Sequence, residues 1–284
     1  MLKRFILCIY FSLVAVTVFS QDEGVFWKIS GKDLETSSYL FGTIHLMCED
    51  DFQISQQVSK RLGLAEALVM EVDLDDPALY GNMMENMYNE DGQKITDFLS
   101  ETEYEKIRNF LKERTGMDMD RMQRMRPMIL MSLIYPNLLE CETMAFESEL
   151  MKLANAENIS VLGLESVEEQ LAFFEQIPLK EQYRSFFNYT ENLEQGKEEF
   201  RKLLSSYREE DIAQLLELVT ESPEYMDYKD VLVDQRNENW IKTMGAMMQK
   251  GTMFFAVGAG HLAGEKGLIR LLKKEGYFLE RVYL

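Results

Sequence analysis

A chain of 284 residues that is 46% hydrophobic and 28% charged carries enough apolar material for a packed core, which excludes the disordered and fibrous classes. Its 49 acidic against 30 basic residues give a formal charge of −19 with no basic patch to offset it, which argues against nucleic acid as a partner. With only two histidines, an all-histidine metal site is excluded, and any imidazole chemistry must use His45, His261 or both.

The chain starts with Lys3 and Arg4, then an uncharged apolar run over residues 5–19 and a small residue, Ser20. The run is short for a membrane span and has the order of a secretory signal, so residues 1–20 are expected to be a signal peptide cleaved near Ser20. That expectation makes the protein exported, periplasmic or extracellular, and removes Cys8. No later stretch is long enough to span a bilayer after cleavage. Cys48 and Cys141 are then left in an oxidising compartment, where their pairing stays open.

Four apolar runs that stop at polar or glycine-rich clusters read as strands: SSYLFGTIH (37–45), EALVMEVDL (66–74), ISVLGLE (159–165) and TMFFAVGAGH (252–261). Between the first two, Phe52, Val58 and Leu62 recur at helical spacing. After the last, Leu268, Leu271 and Leu272 share a helix face ahead of a closing strand, YFLERVYL. Strand, helix and parallel strand make a βαβ unit, and one unit lies at each end of the chain. The expected fold is therefore α/β, with a mostly parallel central sheet built from two βαβ-containing halves. The Met-, Glu- and Leu-rich stretches at about 76–157 and 167–249 read as helical insertions between those halves. Ser166 and Glu169 form a capping box that starts a helix at about Val167. Residues 21–284 are read as one domain.

In parallel α/β sheets, ligands bind beyond the carboxyl ends of the strands. Both histidines fall there, in matched contexts: Gly42-Thr43-Ile44-His45 and Gly258-Ala259-Gly260-His261. Glu71 and Asp73 end one strand facing the same way, and Glu165 ends another. Gly42, Gly258 and Gly260 are assigned to tight turning and close backbone approach beside the imidazoles. Two imidazoles and several carboxylates, distant in sequence, suit a divalent-metal or an acid–base site. Arg236 and Asn237 lie on the last long helix, either on a solvated face or reaching into the acidic site to clamp a substrate carboxylate or hold Glu165. The methionines at 117, 119, 122, 125, 128 and 131 read as core filler. VGAGHLAG has the look of a dinucleotide turn, but only one βαβ unit follows, so no such cofactor is expected.

These residues resemble the TraB/GumN family, which includes the Tiki-type proteases. The resemblance rests on YLFGTIHL, VMEVDL, VLGLESVEEQL, RNENW and FFAVGAGHLAGEKGLIRLLKKEGY, which occur in the family's order over most of the mature chain. It implies an α/β core related to that of erythromycin esterase and the haem-binding ChaN proteins, with two Gly-x-x-His motifs that Tiki members associate with metal-dependent peptide cleavage. His45 and His261 match the motif histidines, Glu71 the acidic partner, and Glu165 and Arg236 further polar positions. Many members have Gly-x-Asp shortly before the Gly-Leu-Glu strand; here AFESELMKLA stands instead, and no site residue is assigned to it. The expectation is an exported metal-dependent hydrolase, most nearly a peptidase. His45, His261 and Glu71 would hold a divalent ion (Mn, Co or Zn), with Glu165 as base or further ligand and Arg236 orienting a peptide or small-molecule substrate. The alternative is a protein of the same fold that binds peptide, haem or iron without turnover.

Overall fold

A computed structural model describes residues 23–137, 139, 141–221 and 228–284. The expected signal over residues 1–20, with Cys8, lies outside the described residues. In chain order the elements are β1 (Phe26–Gly31), β2 (Ser38–Thr43), β3 (Met47–Cys48), α1 (Gln56–Leu62), β4 (Ala67–Val72), α2 (Leu79–Glu85), α3 (Glu101–Thr115), α4 (Pro127–Ile134), β5 (Thr143–Met144) and α5 (Phe146–Ala156). They continue as β6 (Ser160–Glu165), α6 (Val167–Phe174), α7 (Leu179–Glu191), α8 (Leu193–Arg208), α9 (Ile212–Glu221), a π-helical turn (Asp230–Asp234), α10 (Gln235–Met248), β7 (Met253–Gly258), α11 (Leu268–Lys274) and β8 (Tyr277–Arg281).

Six strands form one mixed sheet in the order β6-β4-β7-β2-β1-β8, and β3 pairs with β5 in a two-stranded ladder. The four contiguous strands β6, β4, β7 and β2 are parallel, whereas β1 is antiparallel to both β2 and β8. β7 lies between β2 and β4, and β2 and β1 lie between β7 and β8, so the two ends of the chain interleave in a single sheet. The central strands are apolar throughout because both faces are covered: Leu68, Val69, Phe254, Phe255 and Val257 are buried. At the edge, β8 alternates, with Tyr277 buried and Phe278 exposed.

Helices α5, α10 and α11 pack against the sheet at β4 and β6, at β6, and at β8 respectively. A second cluster, with Ile107, Leu130, Tyr183 and Phe186 at its centre, joins α3, α4 and α7 within the helical stretches. Ser166 Oγ accepts from the Glu169 N–H at 3.1 Å and Glu169 returns a bond to the Ser166 N–H at 2.8 Å, so α6 begins at the capping box read from sequence. Among the described residues, no helix is long and apolar enough to cross a membrane.

Candidate active site

Register places the site. Thr43 pairs with Gly258 across β2 and β7, Met70 with Ala256 across β4 and β7, and Val72 with Glu165 across β4 and β6. The carboxyl ends of four strands thus finish level, and the residues just past them converge. Gly42 pairs with Val257, so the second Gly-x-x-His motif starts one residue nearer that edge than the first.

Arg236 organises the buried half of the site. Its Nη2 donates to Glu71 Oε2 at 2.6 Å and to Glu165 Oε1 at 2.6 Å, its Nε to Glu165 Oε1 at 3.0 Å, and its Nη1 to the Leu232 carbonyl at 3.1 Å. Leu232 lies in the π-helical turn, an irregularity that sets the entry to α10. One helical turn beyond Arg236, Trp240 lies under the guanidinium, 4.8 Å from ring centroid to Cζ, and donates Nε1–H to Glu165 Oε2 at 2.9 Å. Gln170 donates to Glu165 Oε1 at 3.1 Å. Burial drives the Glu165 carboxyl above its ordinary range despite these donors, whereas at Glu71 the charge of Arg236, with that of His45 and the Gly258 N–H, overcomes burial and holds the carboxyl well below it.

His261 is enclosed by the same helix. Asn237 Nδ2 donates to the carbonyls of His261 and Lys266 at 3.1 and 2.9 Å, so its Oδ1 faces His261 Nδ1 at 2.7 Å as acceptor. Nδ1 therefore carries the proton, and the Nε2 lone pair faces Arg236 Nη1 at 3.3 Å and Glu71 Oε1 at 3.9 Å. Burial, with Arg236 alongside, drops the imidazole to about 3, and it is neutral.

His45 lies in the opposite environment. Its side chain is 75% exposed, and Nδ1 donates to Glu147 Oε1 at 3.1 Å. The same oxygen accepts from Thr43 Oγ1 at 2.8 Å. The Glu147 hydrogen bond raises the imidazole to about 9. Burial pushes Glu147 up, but its bonds to His45 and Thr43 prevail and its carboxyl lies below the ordinary value. A Cys48–Cys141 disulfide and the β3/β5 ladder join the loop after His45 to the segment leading into α5.

The site residues expected from sequence thus separate into two groups. Glu71, Glu165, Arg236, Asn237 and His261 form one contiguous cluster; His45 and Thr43 stand beside it and bond to Glu147. All the polar hydrogens of Arg236 that the site engages point at Glu71, Glu165, His261 and Leu232, which favours holding Glu165 over clamping a substrate carboxylate. Asp73 accepts the Asp75 N–H at 3.0 Å and lines a groove that Glu165 also borders. None of Gly42, Gly258 and Gly260 has a positive φ, so none serves a left-handed backbone, and Gly42 and Gly258 serve close approach. A Cβ on Gly42 would lie 2.7 Å from Leu262 Cδ1, and one on Gly258 3.3 Å from Glu71 Oε1, while Gly258 N–H donates to that oxygen at 2.9 Å. Gly260 has space for a methyl group, with its nearest neighbour at 3.9 Å. Sequence reasoning missed Glu147 and Trp240. Trp240 had a signal in its i+4 spacing from Arg236; Glu147 had none beyond its place in the first turn of a helix.

Glu71 and His261 present donor atoms to each other, yet among the described residues no three His, Cys, Asp or Glu side chains converge to hold an ion. Arg236 is bonded to both of those side chains, at Glu71 Oε2 and His261 Nε2, and a guanidinium so close opposes a second cation. As arranged, the set does not fit a divalent metal.

Fold and site together define an α/β protein with a polar, charged cluster beyond the carboxyl ends of its parallel strands. The chain belongs to the TraB/PrgY/gumN family, whose model matches residues 25–281. It is similar to the metalloprotease TIKI2 of Danio rerio, 23% identical over 89% of this chain and 60% of that protein, and to a metalloprotease TIKI homolog of Amphimedon queenslandica, 37% identical over 18% of this chain and 11% of that one. The chain therefore spans about 60% of the length of the zebrafish relative. No solved structure matches it.

Proposed function

We propose that the protein is an exported hydrolase, most nearly a peptidase, working at the two Gly-x-x-His strand ends. The kinship to metalloproteases supports the reaction class. The single observation that carries the reading is the pairing of an exposed, carboxylate-backed His45 with a buried cluster in which Glu71 Oε1 and His261 Nε2 face each other at 3.9 Å. Amide hydrolysis needs a proton for the leaving nitrogen and a polar slot that orients water. His45, protonated near neutrality, offers the proton from Nε2; Glu71 and His261 offer acceptors for water. Arg236 and the Gly258 N–H hold Glu71 in its ionised form. A groove of about 340 Å³ over the ends of β4 and β6, walled by Asp73, Asp76, Glu165 and Glu168, meets the cluster at Glu165, and its carboxylates favour basic side chains.

A divalent ion, which the kinship to metalloproteases also suggests, would supply Lewis acidity and a more acidic water, but no step is assigned to it because the residues as arranged do not fit one. The test is cleavage of a peptide library by residues 21–284, with and without chelator, beside metal analysis. Cleavage that falls at least about 100-fold in both His45→Ala and His261→Gln is expected. No cleavage by the wild type, together with a Soret shift on haem addition that either substitution abolishes, would replace the hydrolase with a binding protein.

A further inference from the structure

Glu147 is the one site carboxylate whose partners are a hydroxyl and an exposed imidazole. Thr43 Oγ1 and His45 Nδ1 converge on its Oε1 at 2.8 and 3.1 Å. An ionised carboxylate only accepts, so Nδ1 must carry hydrogen and Nε2 is the ring atom left facing outward. Among the described residues no other hydrogen bond to the His45 ring is seen, and at 75% exposure little packing restrains it. The support behind Glu147 is rigid by contrast. Its neighbour Phe146 is buried against Phe41, Phe52 and Tyr207, with ring centroids 5.7, 4.6 and 5.7 Å away. Tyr207 in turn donates to the Gly42 carbonyl at 2.8 Å, at the start of the His45 motif. The disulfide and the β3/β5 ladder tie the two segments from the other side.

We infer that Glu147 is the positioning residue for His45: it fixes the ring with Nδ1 inward and Nε2 outward, through a carboxylate anchored by Phe146. The ring orientation follows from geometry alone, and only its kinetic consequence rests on the hydrolase reading. Because Glu147 acts through His45 and not on substrate, its loss lowers kcat while KM stays within about twofold. Outer partners of this kind are worth about 10–100-fold in activity.

With two histidines in the chain, imidazole nitrogen NMR on ¹⁵N-histidine-labelled protein resolves each ring, and His45→Gln assigns them. In the wild type a protected His45 Nδ1–H is expected. Glu147→Ala should lose it, leave the His261 signals in place and lower kcat by about 10–100-fold. Glu147→Gln keeps an acceptor oxygen and should retain the Nδ1–H and most of kcat. A His45 Nδ1–H that survives in Glu147→Ala overturns the proposal, and so does its loss with kcat unchanged. Should the wild type cleave nothing, the hydrolase reading fails, and the NMR comparison still decides the role of Glu147.

Discussion

Replacing Arg236 with Met keeps the length of the side chain and removes the one guanidinium bonded to both buried carboxylates. Glu71 would retain the Gly258 N–H, and Glu165 would retain Trp240 and Gln170, but neither would retain a directly bonded cation. Removing one partner of a buried ion pair costs roughly 3–5 kcal/mol, and with two carboxylates stranded we expect about 4 kcal/mol, or about 10 °C in Tm for a domain of this size. Equilibrium urea unfolding at pH 7.5 and pH 5 measures it. The sign with pH is fixed by the carboxyls. In the wild type Glu71 titrates below its ordinary value of 4.5, so its contribution is complete above that value and lost only as pH falls further. In the variant, burial without Arg236 drives both carboxyls upward, so they take up protons as pH drops and the deficit narrows toward pH 5. Adding Glu165→Gln to Arg236→Met should recover part of the loss at pH 7.5. A deficit under about 1 kcal/mol, or one equal at the two pH values, would show that Arg236 does not balance these charges.

The two imidazoles should titrate far apart, His45 at about 9 and His261 at about 3, and an NMR titration in which both move between pH 6 and 7 would contradict the site electrostatics. For His45, the raised value makes its small contribution to stability complete below the ordinary 6.5 and lost as pH rises toward 9. For His261, the lowered value leaves stability intact above 6.5 and erodes it as pH falls toward 3, by an amount on the order of several kcal/mol that His261→Gln should largely remove. The double substitution Cys48→Ser/Cys141→Ser, which opens a link across 93 residues, should cost about 2–4 kcal/mol in non-reducing urea titrations; an unchanged midpoint would show the bridge to be redundant with the β3/β5 ladder.

The strands that carry the site were legible because each is an apolar run ending in chemistry: 66–74 against β4 (Ala67–Val72), 252–261 against β7 (Met253–Gly258). β1 was not, since Lys28 and Ser30 interrupt a short segment that β2 and β8 cover from either side. Strand order was illegible for a related reason: a side-chain period of two says which face is buried and nothing about which neighbour lies alongside. Arg236 was equally consistent with a wet face and a buried role, because its i+1 and i+4 companions Asn237 and Trp240 acquire their roles only when β6 and the His261 turn are brought against α10. Glu147 is one carboxylate among 49 acidic residues, in a segment that departs from the family pattern. Only the ladder from β3 to β5 reveals that it faces the His45 loop.

Two matched Gly-x-x-His motifs thus yield two unlike histidines, and the cause is structural. The one-residue stagger between β2 and β7 carries the second motif farther past the sheet edge, into a short turn (Ala259–His261) that α10 covers with Asn237 and Trp240. The first motif instead enters a loop held by a disulfide and a two-residue ladder, where water reaches the ring. One imidazole is consequently neutral with its lone pair turned to Glu71 and Arg236, and the other is a proton carrier at the surface. A single residue type in a single sequence context supplies an acceptor and a donor because packing, through desolvation on one side and a shared carboxylate on the other, moves their affinities for the proton in opposite directions.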